Sequence, residues 1–153
     1  MSRRSRGSRL ARERGAAVVE FALVVPILLV LVFGVIQYGW YLYAMQSGTS
    51  AVGEAVRRLS VGDCQVQSER STFLKNRLGS ATTASTVSPT VTYTNPDGSS
   101  ATSLQVGGTV RVELSYPSMD LNFPFLPFPD NGTVTRSYVG RVEDTTASVG
   151  GCS

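Results

Sequence analysis

Residues 16–36 read AAVVEFALVVPILLVLVFGVI, a run in which only Glu20, Pro26 and Gly34 interrupt the aliphatic side chains. At about 1.5 Å of rise per residue, such a run reaches roughly 30 Å as a helix, the thickness of a bilayer's hydrocarbon core. The stretch is therefore read as a transmembrane helix. Tyr38, Trp40, Tyr41 and Tyr43 follow it, amphipathic rings of the kind that settle at the headgroup level. A cleavable secretory signal would have a shorter apolar region ending at a small-residue cleavage site, whereas this run is longer and leads into bulky rings.

Upstream of the run lie Arg3, Arg4, Arg6, Arg9, Arg12 and Arg14 against Glu13 alone, while residues 37–53 contain neither Lys nor Arg. Loops dense in Lys and Arg stay cytoplasmic, so the expected topology is single-pass in the cytoplasmic (inner) membrane, N-terminus inside and C-terminal domain outside. The 153-residue chain carries 14 basic and 11 acidic residues, formally +3. Six of the basic residues and one acidic residue belong to residues 1–15, so the remainder carries 8 and 10, a formal charge of −2. Nucleic-acid binding needs a lasting cationic face on a folded surface, and no such partner is expected. Histidine is absent, which removes the usual general base near neutral pH and the commonest metal ligand; no metal and no cofactor is expected.

Beyond the rings, Met45, Thr49, Val52, Val56 and Leu59 recur at spacings of four, three, four and three, one face of a continuing helix. Gln46, Ser50, Glu54, Arg57 and Arg58 occupy its other side, and Gly62-Asp63 reads as its end. The chain thus divides into a cytoplasmic basic leader (1–15), a transmembrane and extended helix (16–62) and an extracytoplasmic β-rich domain (63–153). Within the last, a short helix is expected around 68–78 and a Ser/Thr-rich loop over 79–88. Strand signals begin at Thr90, with turn chemistry at Asn95-Pro96-Asp97-Gly98. The clearest strand is TVRVELSY, 109–116, with Val110, Val112 and Leu114 on one face and Arg111, Glu113 and Ser115 on the other. A last strand covers 133–142. The fold class is α+β: a long N-terminal transmembrane helix extending into a small domain with an antiparallel sheet.

Residues 117–132 hold Phe123, Pro124, Phe125, Leu126, Pro127, Phe128 and Pro129, too proline-broken for a helix or a central strand. The plainer reading is a loop folded over the sheet. The sharper one makes Phe123, Phe125 and Phe128 a partner or membrane-surface contact, since an exposed patch of three phenylalanines is otherwise a liability. Cys64 and Cys152 fall outside the cytoplasm, where a disulfide is expected rather than two free thiols. A catalytic thiol would lack a histidine to activate it. An acid/base pair drawn from Glu113, Asp120 and Asp130 is not assembled by their spacing, so no enzyme is expected.

Glu20 needs a reason, because an ionisable group in an apolar helix is costly unless it is paired or reaches the interface. It lies about 6 Å along the axis from Ala16, and snorkelling toward the cytoplasmic headgroups would satisfy it. Its neighbours offer a more specific account. Gly15-Ala16-Ala17-Val18-Val19-Glu20-Phe21 sets a small residue after a basic leader and a glutamate five positions beyond. That resembles a type IV prepilin processing site. The wider block RGAAVVEFALVVPILLVLVFGVIQYG resembles the TadE-like family of minor pilins or pseudopilins, whose Glu-Phe pair and following proline stand here as Glu20, Phe21 and Pro26. Ala51, Ala55, Arg57 and Arg58 are also similar to the family pattern. The resemblance extends to about residue 60 and is loose beyond Cys64; major Flp-type pilins, by contrast, favour Glu-Tyr and have little beyond a short helix.

The resemblance implies a type IV pilin-like architecture and a role as minor pilin or pseudopilin in a Tad-type pilus assembly and secretion system. It implies a prepilin peptidase acting between Gly15 and Ala16, and a part for Glu20, Phe21 and Pro26 in subunit register. The implied partners are membrane lipid, other pilin-like subunits and the Tad assembly machinery, with entry into a pilus as a further implication. The alternative is an uncleaved, signal-anchored envelope binding or scaffolding protein.

Overall fold

The structure, a computed structural model, describes residues 6–123, 126–146 and 152. Arg3, Arg4 and Phe125 lie outside the described residues. One helix, α1 (Arg6–Ser60), runs through the apolar stretch and on past it without interruption. Its end has a physical cause in Gly62, which takes a left-handed φ of 80°, open to glycine without a Cβ penalty. The Gly62 N–H then donates to the Leu59 carbonyl at 3.0 Å and the Asp63 N–H to the Arg58 carbonyl at 3.0 Å, the paired bonds of a Schellman stop.

A second helix, α2 (Gln67–Leu78), is followed by a 3₁₀ turn at Gly79–Ala81. The strands are β1 (Thr90–Thr94), β2 (Ser100–Ala101), β3 (Thr109–Pro117) and β4 (Thr133–Arg141), in the order β2-β1-β3-β4 with all pairings antiparallel. The Asn95–Gly98 turn closes through a Gly98 N–H to Asn95 carbonyl bond of 3.0 Å. It returns the chain into β2, a two-residue strand whose composition carries no strand signal of its own. Along β3 the alternation is as the sequence predicts, with Val110, Val112, Leu114 and Tyr116 buried and the residues between them exposed.

The chain falls into two compact units. One gathers α1 as far as Tyr38 with the loop segment Asn122–Pro127; the other holds the rest of α1, α2 and the sheet. In the second unit, α1 is part of the core, and the face it buries is not quite the expected one. Ala44, Ala51, Val52, Ala55, Val56 and Leu59 are buried, but Thr49 is exposed and bonds its hydroxyl back to the Met45 carbonyl at 2.9 Å. The stripe is rotated toward small residues because a backbone-close fit wins over side-chain bulk. Gly48 receives the Tyr116 ring, with no space for a Cβ, and Val56 lies against Gly140. Tyr116 donates to the Ala44 carbonyl, and burial pushes its hydroxyl up to about 12.

In the first unit the described cover on the helix is confined to the loop segment, at Phe33 and Gly34. Val18, Phe21 and Ile27 are 66%, 70% and 71% exposed, and among the described residues the most apolar window of α1, which is long and apolar enough to cross a membrane, has no buried residue. Exposed apolar surface of this extent calls for lipid or other helices.

Candidate functional site

The exposed apolar half of α1 carries the sequence-predicted positions Gly15, Ala16, Glu20, Phe21 and Pro26. Gly15 and Ala16 are in helix, Glu20 and Phe21 are exposed on it, and Pro26 lies inside it. Ala16 and Glu20 stand four residues apart and therefore share a face. Pro26 has no N–H to give the Ala22 carbonyl, so the ladder lacks one bond there. Chemically, this surface offers one carboxylate among exposed aliphatic side chains. It can accept a cation or a hydrogen bond from another molecule.

The other candidates are placed apart. Phe123 stacks on Phe33 with ring centroids 4.5 Å apart and an interplanar angle of 11°. Phe128 meets Tyr41 edge-on at 5.3 Å. The receiving positions Phe33 and Tyr41 carry no sequence signal of this use, because the same residue types would sit there for lipid or headgroup contact alone. The carboxylate trio is dispersed along the chain: Glu113 is on the exposed face of β3 with Arg111 at 3.7 Å, whereas Asp120 and Asp130 lie in the segment after β3. Among the described residues no three His, Cys, Asp or Glu side chains are grouped to hold a metal.

Cys64 and Cys152 form a disulfide with their Cα atoms 4.6 Å apart, across a sequence separation of 88. The bridge joins the stop of α1 to the C-terminal tail. Buried Arg70 of α2 fixes the turn beneath it, donating to the carbonyls of Cys64 at 3.1 Å and Gln65 at 3.3 Å. Arg58 adds a second tie: it pairs with Glu54 at 3.2 Å and Asp63 at 3.5 Å, and its guanidinium lies 4.8 Å over the Phe73 ring. Arg57, beside it, holds the Glu54 carboxyl below the usual carboxylate range, assisted by Arg58. These contacts tie the second half of α1 into the folded unit.

Compared with known proteins, residues 15–57 match the family model described as TadE-like protein. The match begins at Gly15, takes in Glu20, Phe21 and Pro26, and ends in the last turn of α1, before any strand. No curated protein and no solved structure matches the chain.

Proposed function

From the match of residues 15–57 to the model described as TadE-like protein, we propose that the chain serves as a minor pilin or pseudopilin of a Tad-type pilus assembly and secretion system. It works by helix packing and by display of its folded unit, not by catalysis. The observation that carries this reading is the exposed apolar half of α1 bearing Glu20, continuous with a half that is locked into a disulfide-closed domain. One end is built to be covered by something else, and the other is already complete.

In this reading the arginine-rich leader, residues 1–15, holds the N-terminus in the cytoplasm, residues 16–62 span and extend, and residues 63–153 lie outside. A prepilin peptidase cuts after Gly15 and leaves a new amine on Ala16. A neighbouring subunit's amine and the Glu20 carboxylate then meet in a poorly solvating layer, where an unpaired charge is expensive and a paired one much less so. Their pairing sets axial register while aliphatic flanks pack side by side. Phe21 adds to those flanks, and Pro26 gives the helix a point of adjustment as a subunit leaves the bilayer.

N-terminal sequencing of protein extracted from membranes tests the assignment. A mature chain beginning at Ala16 is expected. An intact leader would instead favour an uncleaved envelope anchor or scaffold.

A further inference from the structure

The loop segment Asn122–Pro127 belongs to the same compact unit as the apolar half of α1, and where it touches that helix fixes its depth. Phe123 stacks on Phe33 at 4.5 Å, and Leu126 reaches Gly34, with its Cδ2 at 3.6 Å from where a Cβ would stand. Both helix positions lie inside the apolar run 16–36. By helical rise they sit about 3 to 5 Å within its C-terminal boundary. We infer that this loop is a second lipid-facing element, its Phe123 and Leu126 side chains entering the leaflet at the C-terminal end of the span. The inference rests on α1 crossing a membrane, since the loop's depth is borrowed from the helix.

Irregular backbone at membrane depth must be covered by protein, and the described ends of the segment lie against α1 with two of their polar groups bonded. Tyr38 donates its hydroxyl to the Pro127 carbonyl at 2.7 Å, and the Leu126 N–H points to the Phe123 carbonyl at 3.4 Å. The prolines at 124 and 127 have no N–H to satisfy. Charge is excluded as well: residues 121–129, LNFPFLPFP, have no ionisable side chain, and Asp120 and Asp130 bracket them. Beside the loop the helix continues the same surface, with Val32, Val35 and Ile36 41%, 67% and 49% exposed. That surface is continuous with the span, so the occupant that fits it is acyl chain.

The test uses the full chain in phosphatidylcholine vesicles with brominated acyl chains. Trp40 is the one tryptophan, so a Trp40→Phe background gives silence in which Phe123→Trp and, separately, Phe33→Trp report depth; Leu126→Trp repeats the loop measurement should Phe123→Trp fail to fold. Tryptophan at 123 is expected to lose emission to the bromolipid to the same extent as tryptophan at 33, and to be shielded from aqueous iodide. Quenching at 33 but not at 123, with iodide reaching 123, would put the loop in water and overturn the inference alone. Protection of 123 from both quenchers would overturn it too, by placing protein, such as a second copy, over the loop. Loss of bromolipid quenching at 33 would remove the spanning helix and the loop's insertion together.

Discussion

Two glycines of α1 have opposite uses. At Gly48 an added Cβ would run into the buried Tyr116 ring, whereas at Gly53 nothing stands within 4 Å. Overpacking costs about 1–3 kcal/mol, while replacing a helix-interior glycine by alanine gains up to about 1 kcal/mol. Gly48→Ala is therefore expected to destabilise the folded unit by about 1–2 kcal/mol and Gly53→Ala to stabilise it by about 0.5–1 kcal/mol, read as shifts of opposite sign in denaturant unfolding. Tyr116 supplies a pH signature. Burial raises its hydroxyl from the ordinary value near 10 to about 12, so the folded chain keeps a proton that the unfolded chain gives up. Its contribution is complete below pH 10 and declines as pH rises through about 12. Tyr116→Phe should cost about 1 kcal/mol at neutral pH through the lost bond to Ala44, with the gap to the unaltered protein narrowing above pH 10. A gap constant with pH would show that the hydroxyl does not titrate in this way. None of this was legible in the sequence, because periodicity records which residues are apolar and not which small residue meets a ring. Of the predicted stripe, Val52, Val56 and Leu59 are in the core and Met45 packs against it, while Thr49 falls outside for that reason.

The elements themselves were far easier to read. The apolar run, the Gly62 stop, α2, the Asn95–Gly98 turn and the alternation of β3 all follow from local chemistry, and each stands where those residues put it. β2 escaped because two residues hold no period, and it exists only because the turn carries Ser100 and Ala101 alongside Thr94 and Tyr93. The Phe/Pro segment was legible as irregular but not in its docking, since only the tertiary structure brings Phe123 to Phe33. The disulfide belongs to this scale as well, joining the end of one helix to the tail over 88 residues. Closing a loop of that length is worth about 4–5 kcal/mol in chain entropy before strain. The Cys64→Ser/Cys152→Ser variant is expected to lose about 2–5 kcal/mol in unfolding measurements; a midpoint unmoved by the substitution or by reductant would remove the staple from the account.

For the molecule as a whole, what matters is that a complete fold and an incomplete surface share one helix. The second half of α1 has its partners in α2 and the sheet; the first half has apolar side chains of which none in its most apolar window is buried among the described residues, with Glu20 exposed among them. The proposed positions Gly15, Ala16, Glu20, Phe21 and Pro26 rest on their identities and offsets in the sequence, all of which fall within the matched residues 15–57. In the proposed reading they pair with another molecule, which one sequence does not contain. The measurement that bears most directly on the account compares the unaltered protein with Glu20→Ala for recovery in membranes and for co-purification with other pilin-like helices. Membrane insertion should be unchanged and the association weakened; association that survives undiminished would contradict the claim that this carboxylate sets the register of packing.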